Sequence, residues 1–181
     1  MRRIIVPAVV LLCGIAVVRC DRIMPQSDAA VLPPLATVEA TYTQRGVDTE
    51  LSFSGNVLEV TVQQPRDQLT RGGSLWARVG PYIYLFTPAT RRMLDEYPAI
   101  AGVRVITMTG DEEVARALLV RDRFNEITWP RAHNVLGPAL REGTARPSLI
   151  ERLAEFGEQH TDYEYNPEFV PPQGQRPAGG R

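Results

Sequence analysis

Only His133 and His160 offer an imidazole for proton transfer or metal ligation, and the residues around each limit the chemistry open to it. Around His160 the chain reads Glu158-Gln159-His160-Thr161-Asp162, a histidine between two carboxylates with a hydroxyl beside it. A base at His160, oriented by Asp162 or Glu158 and acting on Ser148 or Thr161 as nucleophile, is the one hydrolytic arrangement the residues suggest. No GxSxG elbow accompanies it, and neither histidine lies in an HxxxH or HExxH spacing. A histidine near a helix end also has a simpler role, because a partial positive charge is favoured there. No residue is therefore assigned as catalytic, cofactor-binding or metal-binding, and no cofactor is expected.

Two weaker features belong to the same inventory. Gly72-Gly73-Ser74 ahead of a helix presents free amide groups to an anion, but it lacks the remainder of a phosphate motif and reads as a loose entry loop. Asp111-Glu112-Glu113 gathers three carboxylates without the alternating ligands and glycine of a calcium loop, so it reads as a solvated turn. All 20 basic residues are arginine. Schiff-base chemistry and a phosphate-loop lysine are thus excluded.

The amino terminus carries an address. Arg2 and Arg3 precede an uncharged apolar run, Ile4 to Val18, which has the order of a secretory signal. Fifteen helical residues span about 22 Å, short of the roughly 30 Å hydrocarbon core, so export is expected rather than an ordinary membrane span. Val17-Val18-Arg19-Cys20 resembles, in position, the box in which a bacterial lipoprotein carries its acylated cysteine. It departs from that box at Arg19, where a small residue belongs. Three forms stay open, a lipid anchor on Cys20, an uncleaved signal anchor and, behind them, a freely secreted form; the first two hold the chain at a membrane on its outer side. Cys13 and Cys20 are the only cysteines, so the body beyond the leader has neither disulfide nor thiol chemistry. Removing Arg2, Arg3 and Arg19 from the 20 basic residues leaves 17 against 21 acids, a net charge of -4 that argues against nucleic acid as partner.

The elements that must position these residues follow from periodicity. Residues 1–20 read as signal peptide or anchor, 21–36 as a proline-bearing flexible linker, 37–162 as a single domain, and 163–181 as an arm, disordered from about 170. Val38, Ala40 and Tyr42, then Val47 to Phe53, then Leu58, Val60 and Val62 alternate with polar residues and predict strands, with a turn at Ser54-Gly55-Asn56. From Ser74 to Tyr97 the apolar residues step by three and four, predicting one curved helix about 36 Å long, N-capped by Ser74, with Pro81 and Pro88 on its water side. A second hairpin is expected through Val103, Val105 and Val114 to Val120. A helix capped by Asp122 and stopped at Gly143 should follow, and then one opened by a capping box of Ser148 and Glu151.

The fold class expected is α+β: an antiparallel sheet of four to five strands, a long curved amphipathic helix on one face, two further C-terminal helices and the N-terminal signal or anchor helix. The function expected is that of an exported, membrane-tethered cell-envelope domain. It would be non-catalytic, binding an envelope protein partner or serving as an accessory; the alternative is a small exported hydrolase using His160 with a nearby carboxylate.

Overall fold

The computed structural model describes residues 31–43 and 49–172. The leader with Cys20, the linker up to residue 30, Val47 and the tail from 173 lie outside the described residues. In chain order the elements are α1 (Leu35–Thr43), β1 (Thr49–Ser54), β2 (Val57–Gln63), α2 (Arg66–Leu85), α3 (Pro88–Glu96), β3 (Gly102–Thr109) and β4 (Glu112–Val120). A single 3-10 turn at Arg121–Arg123 leads to α4 (Thr128–Glu142), α5 (Pro147–His160) and β5 (Asp162–Tyr165). None of the described helices is long and apolar enough to cross a membrane.

The architecture is α+β, with the five strands in the order β1-β2-β3-β4-β5. Both hairpins form where alternation and turn chemistry put them. Gly55 and Gly110 sit at φ 59° and 61°, a region open to glycine at little cost. The sheet, however, is mixed rather than antiparallel. β2 and β3 run parallel, with Leu58 opposite Val103 and Val60 opposite Val105. Pro65 turns the chain out of β2 into α2 and α3, and this helical crossover lets β3 enter in the direction of β2. The last strand comes from the arm: β5 lies antiparallel to β4, Tyr163 opposite Ala117 and Tyr165 opposite Ala115.

Further expectations are corrected. Val38 and Tyr42 belong to α1, not to a strand, and α1 opens at Leu35, inside the stretch read as linker. Both side chains are buried while Ala40 is exposed. Positions i and i+4 satisfy either period, and only Ala40 separates the two readings. The long helix is two. α2 breaks off at Leu85, and Pro88 opens α3 at its first position, where its missing N–H costs nothing. Thr87 caps the new helix, its Oγ1 accepting from the Thr90 N–H at 3.2 Å, and Thr90 Oγ1 donates back to the Tyr84 carbonyl at 3.0 Å. Pro81 is buried, not on the water side. α2 is itself kinked at Gly73, whose φ of 60° and ψ of -156° are non-helical, so a helical stretch does start at Ser74, and what was not expected is the further stretch ahead of it from Arg66. α4 begins at Thr128, not after Asp122, because Asn125 Oδ1 accepts from the N–H groups of Ile127 and Thr128 at 3.0 and 2.9 Å. α5 carries no side-chain cap at Ser148; Arg146 is its N-cap and Pro147 its first residue.

The main core lies between the sheet and the helices. Leu58, Val60, Val62, Val103, Val105 and Leu119 from the strands meet Val79, Tyr82, Leu85, Phe86, Ile150 and Leu153 from the helices. α2 packs across β3 and β4 on one side and against α5 on the other. Gly157 makes that second contact possible, since a Cβ there would come within 2.5 Å of three Tyr82 ring atoms.

Candidate functional site

The residues that suggested hydrolysis are not brought together. Ser148 and His160 stand at opposite ends of α5, separated by about 18 Å of helical rise. The His160 ring stacks on Phe156 at 4.2 Å between centroids and meets Phe124 edge-on, and its Nδ1 lies 2.8 Å from the Phe156 carbonyl. It makes no ion pair with Glu158 or Asp162. Asp162 pairs instead with Arg123 at 3.6 Å, and buried Thr161 donates to the Gly157 carbonyl at 2.9 Å. His133 sits on α4 with its ring 6.0 Å from that of Trp129. Asp111 and Glu112 cap an exposed hairpin, while Glu113 pairs with Arg116 at 3.1 Å. Among the described residues no group of three or more His, Cys, Asp and Glu is placed to hold a metal ion.

Glu158 does have partners, and periodicity gave no sign of them. Arg78 of α2 donates to its Oε1 through Nε at 3.0 Å and through an Nη at 2.6 Å. Tyr165 of β5 donates to the same oxygen at 2.9 Å. The Tyr82 hydroxyl lies 2.8 Å from that of Tyr165. With the Tyr165 proton committed to Glu158, Tyr82 is the donor in that pair. Three elements, α2, α5 and β5, are thereby joined through one carboxylate oxygen. Arg78 is half-buried, beside Tyr165 of β5.

Burial sets the electrostatics of the cluster. It pushes the Tyr82 phenol well above its ordinary value, an effect only partly offset by hydrogen bonds with Tyr165 and Thr161. It does the same to Tyr165, reinforced by Tyr82 and by the Glu158 charge. Burial alone would lower the Arg78 pKa, but the hydrogen bond and charge of Glu158 outweigh it and the value rises. Both phenols therefore stay protonated, and the cluster is a fixed hydrogen-bond chain rather than an acid–base pair.

Of three clefts bordered by α2, one lies against Glu112 and Phe169 and two concern the residues above. The first of these two, of about 510 Å³, lies over the cluster and is bordered by Ser74, Arg78, Glu158, Tyr163 and Tyr165, with Pro171 and Pro172 of the chain's own tail on its far wall. The other, of about 460 Å³, lies between the first half of α2 and the turn joining α4 to α5, and is bordered by Gln68, Arg71, Leu75, Trp76, Thr144 and Ile150. Both volumes fall in the range of small-molecule sites. Gly72 borders the second cleft, but as a seat for the Trp76 indole, which a Cβ at position 72 would overlap. Comparison of the chain with known protein families, curated proteins and solved structures returns no match.

Proposed function

We propose that the folded body is a non-catalytic recognition domain, held on the outer side of a membrane by its amino-terminal segment and serving an envelope partner. The observation that carries this reading is the closed state of the polar cluster. Arg78, Glu158, Tyr165 and Tyr82 are committed to one another, and His160 to its own helix and two phenylalanines. Proton-transfer groups are thus used to fasten β5, while the clefts on either side of α2 keep aromatic and polar walls suited to binding. The export signal, the linker and the acidic body support the location and the absence of nucleic acid among its ligands.

The test uses the full-length chain expressed in its own cells, with a photo-crosslinking residue placed at Thr144 or at Tyr163. A discrete crosslinked envelope component at one of these positions, absent when the probe stands at exposed Arg92 on α3, is the result expected. Equal, diffuse crosslinking at all three positions would remove the recognition reading.

A further inference from the structure

We infer that the cleft beside Trp76 is a saccharide site, which deepens the recognition reading and rests on it. The two clefts differ in one respect: the polar groups over the Glu158 cluster are bonded to each other, and those beside Trp76 are not. Among the described residues, the Trp76 indole N–H, the Gln68 amide and the Thr144 hydroxyl make no hydrogen bond, and all three border the same cleft. Arg71, also on its rim, is balanced by Asp67 at 2.6 Å, so the lining carries no uncompensated charge. Leu75 and Ile150 supply the apolar surface.

A neutral ligand with hydroxyl groups around its edge and a C–H face matches that set: the face lies on indole and aliphatic surface, and the edge meets an amide, a hydroxyl and an indole donor. An acyl chain would leave those three polar groups dry and unpaired. The platform is also fixed in place. The indole is partly buried against the core and abuts Gly72, where a Cβ would overlap its five-membered ring. The Trp76 carbonyl is held by the side-chain amide of buried Gln64 at 3.0 Å. Little side-chain freedom remains to be lost on binding.

The chain has two tryptophans, and Trp129 is buried. The indole N–H resonances of ¹⁵N-labelled full-length protein in detergent therefore report the site with an internal control. The Trp76 signal is the one lost in Trp76→Phe. Cellotetraose, maltotetraose and tetra-N-acetylchitotetraose are titrated, with octanoate as an acyl probe. A saturable shift of the Trp76 signal with at least one tetrasaccharide, Trp129 unmoved, is expected. Gln68→Ala or Thr144→Ala should weaken that binding about fivefold, the equivalent of one hydrogen bond, without lowering Tm. Gly72→Ala should weaken it too, though alanine favours the helix. A Trp76 signal unmoved by all three sugars at millimolar concentration, or moved by octanoate alone, overturns the assignment. The titration does not depend on the crosslinking result, so a sugar-responsive Trp76 in a chain that crosslinks diffusely would remove the envelope-partner reading while leaving the site.

Discussion

Tyr82 and Tyr165 are 83 positions apart in the chain, and their hydroxyl oxygens lie 2.8 Å apart. Through this contact and the next one to Glu158, the last strand is bound to the helix layer. Tyr82→Phe and Tyr165→Phe should each lower unfolding free energy by about 1 kcal/mol, and the double variant by less than the sum. Chemical denaturation of the four proteins gives the coupling. Strict additivity would mean that the pair contributes nothing as a unit.

The same two phenols predict an alkaline response. Their folded pKa values lie above those of the unfolded chain, so the folded state holds protons that the unfolded state releases above about pH 10. Their contribution is complete below that pH and is lost as pH rises through it, with a slope approaching about 1.4 kcal/mol per pH unit for buried Tyr82. Tyr82 and Tyr165 should fail to ionise at 295 nm until the protein unfolds. Smooth titration of all six tyrosines in the folded protein contradicts this.

Gly157→Ala sets helix propensity against packing. Alanine favours the helix by about 1 kcal/mol, yet the added carbon would lie 2.5 Å from three atoms of a fully buried ring. Overpacking of this kind costs about 1–3 kcal/mol, so a lower Tm is expected from thermal melts. A variant as stable as the parent would show that α5 can move off α2 freely.

Arg121 closes the end of α3. Its guanidinium donates to the carbonyls of Leu94 and Tyr97, and through Nε to that of Ile100 at 2.8 Å. Pro98 can offer the Leu94 carbonyl no N–H, while that of Tyr97 also accepts from the Ile100 N–H at 3.0 Å. Arg121→Lys keeps the charge and loses the fork, and should destabilise by about 1–3 kcal/mol by denaturant melts. A silent substitution would mean that water serves these carbonyls equally well.

Much of the fold is legible in short-range pattern. The β1–β2 and β3–β4 hairpins follow from alternation around Gly55 and Gly110, and α5 from Leu149, Ile150, Leu153 and Phe156. Errors arise where one pattern fits two structures. Val38 and Tyr42 suit both periods. The apolar stripe from Val79 to Met93 runs on across the break at Thr87 because both helices bury the same side of the chain. The parallel pairing of β2 with β3 has no local mark, since it depends on how a helical crossover returns. The Glu158 cluster was hidden for the same reason. Arg78, Glu158 and Tyr165 form no motif along the chain, and the only hint was an aromatic arm, Tyr163 to Phe169, able to fold back.

The location of the body tests the account most directly, and the chain is suited to the measurement because no cysteine follows Cys20. Ser148→Cys adds one thiol, at the exposed start of α5, to a body that otherwise has none beyond the leader cysteines Cys13 and Cys20. Intact cells are treated with a membrane-impermeant maleimide, and the parent chain serves as control. The account predicts labelling of the variant without breaking the cells. Labelling only after lysis would place the body inside and contradict it.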